Sequence, residues 1–132
     1  MDITIDIETA PIEFGTRTII DEKTGELKDI GALSPITGRI IAAGMSAEGE
    51  HQVFMEEDEK ILLEGFWKSI RVAASKDNGL LKLIGFGIKS FDIHFLFVRS
   101  LYNNVNIPKI YRKSAIDLRE HLCFFDTYMK KG

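Results

Sequence analysis

The chain opens on a strict alternation: Ile3, Ile5 and Ile7 are interleaved with Thr4, Asp6 and Glu8. Successive side chains of a strand point to opposite faces, so the pattern predicts an amino-terminal strand with one apolar and one polar face. Asp6 and Glu8 then stand next to each other on the polar face. Two carboxylates held this close repel unless a cation or a shared proton neutralises them. An arbitrary Asp-x-Glu reads as a solvated strand face. A second acidic element far along the chain, Lys89-Ser90-Phe91-Asp92, shifts the balance towards a site.

A length of 132 residues with 45% hydrophobic content is enough for one domain with a core of its own, spanning residues 1–132. The formal net charge of -3 argues against a basic protein that coats nucleic acid nonspecifically. It leaves room for a nucleic-acid enzyme whose carboxylates bind cations. Cys123 is the one cysteine, which excludes an internal disulfide and a cysteine-rich zinc site. It sits in the apolar run Leu122-Cys123-Phe124-Phe125 and is expected to be buried and inert. The chain shows neither a signal-like opening nor an apolar run of membrane-spanning length, so a soluble, cytoplasmic protein without membrane contact is expected.

After Pro11 the regular pattern stops, and residues 12–38 are turn-rich, with a hairpin-like turn at Asp21-Glu22-Lys23-Thr24-Gly25-Glu26. Arg39 to Met45 and His51 to Met55 predict two strands joined by a turn, forming an antiparallel meander with the first strand. Glu56 to Glu59 precede a helical stripe of Ile61, Leu62, Phe66, Trp67 and Ile70, and suit the positive first turn of a helix. Asp77-Asn78-Gly79 ends that helix. Leu80 to Gly87 predicts a fourth strand, which the preceding helix allows to run parallel to a neighbour. A second helix is expected from Phe91 to about Asn103, a short strand at Ala115-Ile116-Asp117, and a last helix from Leu118 onward with Leu122 and Phe125 on one stripe.

Asp92 falls where the fourth strand turns into the second helix, the kind of junction where sites collect in layered folds. Taken alone it reads as a helix N-terminal Asp satisfying backbone amides. If the fourth strand lies beside the first, Asp92 can face Asp6 and Glu8 across a shallow cleft. Three converging carboxylates suit hard divalent cations, and two such ions about 3.5–4 Å apart can drive phosphodiester cleavage.

Asp6-Ile7-Glu8-Thr9 resembles the first motif of the DEDD (DnaQ-like) 3'–5' exonuclease superfamily, and Gly85-Phe86-Gly87-Ile88-Lys89-Ser90-Phe91-Asp92 resembles the second. The closer likeness is to predicted exonucleases related to the proofreading domain of family B DNA polymerases, to which Ser34-Pro35-Ile36-Thr37-Gly38-Arg39-Ile40 is also similar. The likeness spans nearly the whole chain. It implies an α/β, ribonuclease-H-like mixed sheet of three antiparallel strands followed by parallel strands, flanked by helices. It also implies hydrolysis from the 3' end of single-stranded nucleic acid, DNA first, with Mg²⁺ or Mn²⁺. Carried over, Asp6, Glu8 and Asp92 are the metal-binding catalytic residues, and Glu8 orients the attacking water. Thr9, Lys89 and Phe91 would be substrate contacts, although a solvated Lys89 and a core Phe91 are the plainer readings.

Two departures stand out. The family carries Asn where this chain has Gly87. Its third motif, a His or Tyr followed by an Asp on a final helix, would lie beyond Gly132, so the domain is expected to be incomplete at its C-terminus. His121 with Asp126 is a weak stand-in, because Asp117 matches the family's last strand; Tyr128 has no following Asp, and His51 and His94 read as ordinary strand and helix residues. Loss of the covering helix would favour self-association, and loss of the third motif leaves an alternative: a catalytically deficient nucleic-acid-binding or polymerase-partner domain.

Overall fold

The computed structural model describes residues 1–12 and 18–122. Its centre is β1 (Asp2–Pro11), whose alternation holds as expected: Ile3, Ile5 and Ile7 are buried while Asp2, Thr4, Asp6 and Glu8 are exposed. Full burial of each isoleucine contributes about 1.5–3 kcal/mol relative to exposure. The expected meander is present. β4 (Gly38–Ala47) runs antiparallel to β1, and β5 (Glu50–Phe54) antiparallel to β4. β6 (Lys82–Gly85) lies parallel to the other edge of β1, and β7 (Ala115–Asp117) parallel to β6. The result is a five-stranded mixed sheet in the order β5-β4-β1-β6-β7 flanked by helices, the ribonuclease-H-like arrangement expected from the sequence. Between β1 and β4, β2 (Thr18–Ile20) and β3 (Leu27–Asp29) form a separate hairpin closed over the expected polar turn.

Two helices cover the isoleucine face of β1. α1 (Glu59–Ser75) buries Leu62, Leu63, Phe66, Trp67 and Ile70, the stripe legible in its periodicity. Its N-cap is Asp58, whose side chain accepts from the Lys60 amide at 2.9 Å. α2 (Asp92–Tyr102) adds Phe95 and Leu96, and the buried Trp67 indole donates to the Ser100 hydroxyl at 2.8 Å, joining the two helices. α3 (Leu118–His121) follows β7 directly. Among the described residues, every buried side-chain nitrogen and oxygen has a hydrogen-bond partner.

One expectation needs correction. The fourth strand is four residues, Lys82–Gly85, because the chain turns sharply after it. A side chain at Gly85 would strike Ile88 Cγ2 at 2.3 Å and the Ile5 carbonyl oxygen at 2.9 Å, so the turn folds back onto β1 only with glycine there. Glu59 lies in the first turn of α1, as the sequence suggested. It is buried beside Arg99 of α2, which donates Nη2 to Oε1 at 2.6 Å and Nε at 3.0 Å, while the Ile40 amide donates to Oε2 at 2.6 Å. Arg99 Nη1 also reaches the Pro35 carbonyl at 3.2 Å. The segment Ser34-Pro35-Ile36-Thr37-Gly38-Arg39-Ile40 is therefore pinned from both ends. Gly38 is required within it, since a Cβ would meet the Gly31 and Ser34 carbonyl oxygens at 2.8 and 2.9 Å. Cys123, Phe124, Phe125, Asp126, Tyr128 and the expected loss of a covering helix all concern positions outside the described residues.

Breaking a buried ion pair by removing one partner strands the other charge. Arg99→Ala should therefore lose about 3–5 kcal/mol of unfolding free energy, read from urea titration. Replacing both Glu59 and Arg99 with methionine should lose much less.

Candidate functional site

β1 is the strand at which the sheet changes from antiparallel to parallel pairing. Its pairing with β6 covers Asp2 to Thr4 against Lys82 to Ile84 and then stops, because β6 ends at Gly85. Its pairing with β4 continues to Pro11, with an irregularity between Glu8 and Thr9. The carboxyl-terminal half of β1 thus has one open edge, the crevice where sites form in open α/β sheets.

Asp92 fills that edge. It is the first residue of α2, only 5% exposed, and its Oδ2 accepts from the Ile7 amide at 3.1 Å, taking the place of the missing strand. Ile7 lies between Asp6 and Glu8, so this bond ties the second acidic element to the backbone of the first. Burial, followed by the nearby charges of Asp6 and Asp117, outweighs the amide bonds and pushes the Asp92 carboxyl up to about 6.

Asp6 and Glu8 are open to solvent on the other face of β1. Their partners on β4 are Gly44 and Ala42, which put no bulk beside them. A Cβ built on Gly44 meets only ordinary contacts, at 3.8 Å and beyond, so the strand geometry does not itself require glycine there. These small neighbours were missed by the sequence reading. A glycine inside a strand, a mark of close backbone approach, was the signal that could have found them.

Asp117, read from the sequence as a plain strand residue, is also part of this end of the sheet. It is buried, caps α3, and accepts from the amides of Gly87 (2.7 Å), Lys89 (3.2 Å) and Arg119 (3.0 Å). Burial alone would raise its carboxyl, but the three amides and the Lys89 charge together hold it below the usual carboxylate value. Gly87 has φ of +69°, a left-handed conformation that glycine and asparagine adopt most readily. The departure from Asn at this position therefore preserves the backbone of the turn.

The remaining expected residues are engaged elsewhere. The Thr9 hydroxyl donates to the Ala32 carbonyl at 2.7 Å. Lys89 Nζ pairs with Glu120 at 3.0 Å. Phe91 is partly buried, with its ring 5.3 Å from that of Phe95. His51 lies on β5, His94 on the exposed side of α2, and His121 at the end of α3. Among the described residues, no three His, Cys, Asp or Glu side chains are grouped so that they could hold a metal ion. Asp6, Glu8 and Asp92 thus supply the oxygen chemistry of a cation site without a closed three-ligand set.

No protein-family model matches this chain. An uncharacterized protein of Methanocaldococcus jannaschii is 38% identical over 119 residues, a match that covers 88% of this chain and 60% of the relative. The chain thus spans about three-fifths of the length of that relative. Among solved structures, the family B DNA polymerase from the hyperthermophilic archaeon Pyrobaculum calidifontis matches with a TM-score of 0.56 at 17% identity, covering 89% of this chain and 15% of the polymerase chain. At that identity the likeness is one of fold. Among the described residues no helix is long and apolar enough to cross a membrane.

Because the folded state raises the Asp92 carboxyl from 3.8 to about 6, the proton favours the fold. The stability this gives is complete below pH 3.8 and is lost as pH rises through about 6. Asp92→Asn keeps an oxygen for the Ile7 amide and removes the charge. It should flatten this pH window and raise stability at pH 8 by up to about 3 kcal/mol, measured by denaturant titration across pH.

Proposed function

We propose that this chain is a metal-dependent 3'–5' exonuclease domain that removes nucleotides from the 3' end of single-stranded DNA by a two-metal mechanism. The observation that carries the reading is the seat of Asp92: a buried carboxyl that accepts from the amide of Ile7, the residue between Asp6 and Glu8, and that is raised first by burial and then by the charge of Asp6. A negative cluster at the edge where a sheet changes pairing is unfavourable for the fold. Divalent cations would relieve it. The fold shared with a family B DNA polymerase adds a link to nucleic acid.

In this reading Asp6, Glu8 and Asp92 hold Mg²⁺ or Mn²⁺, which when bound neutralise phosphate charge and make water a better nucleophile. Glu8, exposed on β1, orients the attacking water and accepts its proton. Ala42 and Gly44 leave room for the backbone of the substrate beside the carboxylates. Lys89 would reach a phosphate only by leaving Glu120. The absence of a closed three-residue metal group among the described residues favours a second reading, a nucleic-acid-binding domain with little catalysis.

A 5'-labelled single-stranded oligonucleotide incubated with Mn²⁺, Mg²⁺ or EDTA separates the two. Stepwise 3' trimming that requires metal, is lost in Asp6→Ala and falls about 10²–10⁴-fold in Glu8→Gln supports the exonuclease. Chelator-resistant binding without trimming supports the second reading. Gly44→Val offers an independent check. A β-branched residue suits a strand, so the protein should remain as stable as the parent while trimming falls at least about tenfold.

A further inference from the structure

The mixed sheet ends on one side at β5, whose only partner strand among the described residues is β4. An edge strand presents a row of unpaired amides and carbonyls. Proteins blunt such edges with lysine, proline, a bulge or a very short strand. At the opposite edge, β7 is three residues long. β5 is five residues, Glu50-His51-Gln52-Val53-Phe54, with neither lysine nor proline. Its register with β4 is regular from Ala47↔Glu50 to Ala43↔Phe54, and Val53 within it is 68% exposed. Neither the carboxylate cluster nor the core accounts for an open strand of this composition.

The turn into β5 fixes which backbone groups are free. Glu48 and Gly49 have φ of +51° and +80°, the type I′ geometry of a two-residue hairpin. The residues flanking such a turn, here Ala47 and Glu50, bond to each other, and bonded and non-bonded pairs then alternate along the strands. Glu50, Gln52 and Phe54 therefore direct their backbone groups to β4, and His51 and Val53 direct theirs outward. This spacing matches itself. A second β5, antiparallel about a twofold axis through Gln52, sets His51 of each copy against Val53 of the other. Each such pair exchanges two backbone hydrogen bonds. The same register sets Glu50 against Phe54 and Gln52 against Gln52, so no like charges meet. An axis one residue later, through Val53, would set Glu50 against Glu56.

Charge complementarity points to the same occupant. On the α1 side of β5 lies a groove of about 350 Å³, walled in part by Glu50, Gln52, Phe54, Gly65, Lys68 and Val72. Neither Glu50 nor Lys68 has an ion-pair partner among the described residues, although both line this groove. Phe54 packs on Gly65, where a Cβ would lie 3.2 Å from its ring, and Lys68 follows Gly65 by about one helical turn. Glu50 of a second copy, seated opposite Phe54, is thereby brought to Lys68. We propose that β5 is the pairing edge of a homodimer, in which two sheets join antiparallel about Gln52 and Glu50 of each copy meets Lys68 of the other. One short strand and a groove make a small interface, so the dimer is a weak, reversible one. The inference rests on β5 and α1 and is independent of the exonuclease reading.

Sedimentation velocity in EDTA, which excludes metal-bridged association, tests this over about 1–300 µM protein. A reversible monomer–dimer equilibrium is expected within that range. Val53→Pro removes an outward amide and no bond to β4, so it should weaken association at least about tenfold while thermal melting still reports a folded protein. Glu50→Lys and Lys68→Glu, both on the surface, should each weaken association about two- to fivefold. Mixed in equal amounts, these two variants should recover the parental affinity, because the mixed dimer restores opposite charges at both contacts. A contact made only within one chain would leave the mixture as weak as either variant. A monomer at every concentration, a folded Val53→Pro protein that dimerises like the parent, or a mixture no tighter than its components would each overturn the proposal.

Discussion

Main-chain amides left without a strand partner are the constraint on which this fold depends. A buried N–H that loses its ladder bond must find another acceptor or cost the structure about 1–3 kcal/mol. At three such places the chain supplies a buried carboxylate. Glu59 takes the Ile40 amide on β4, beyond the stretch that β5 pairs. Asp92 takes the Ile7 amide where β6 parts from β1. Asp117 takes the Gly87 and Lys89 amides in the turn that lies between them. Each carboxylate belongs to a different helix start or strand end, so together they fasten the connections to the sheet.

The three differ in how their charge is compensated. Glu59 meets Arg99, and the pair also binds the Pro35 carbonyl and the Asn103 side chain, so it is a structural joint. Asp117 is surrounded by donors that favour its ionised form. Asp92 has one amide from β1 against burial and two neighbouring acids, and its ionised form is the strained one. That residual strain lies at the open edge of the central strand, beside carboxylates that their β4 neighbours leave uncovered. The sheet thus keeps a carboxyl that disfavours ionisation at the edge where Asp6 and Glu8 lie.

Much of this arrangement could be read from residue order. The alternation in Ile3 to Glu8 gave β1 and its two faces, and the stripe from Leu62 to Ile70 gave α1. The helix before β6 allowed that strand to run parallel to a neighbour, which is β1. Less accessible was the length of β6, because Leu80 to Gly87 is apolar enough for a long strand while the turn that brings Ile88 against Gly85 ends it early. The pairing of Glu59 was out of reach for a related reason: its partner Arg99 is 40 residues away, and nothing local distinguishes a paired acid from a solvated one. Gly87 offers no side chain to the site, and its positive φ is a backbone fact that the sequence alone did not show.

What the sequence determined by itself is local: the period that sorts side chains between faces, the caps and stops of helices, and which acids occur in which order. Those properties follow from backbone geometry and need no distant contact. Only the tertiary structure decided what each acid does. It buried Asp92, Asp117 and Glu59 and left Asp6 and Glu8 in water, because burial and amide supply depend on where neighbouring strands end. It also set Gly44 and Ala42 against the exposed pair and left β5 at one end of the sheet, through registers and edges that exist only once the sheet is assembled.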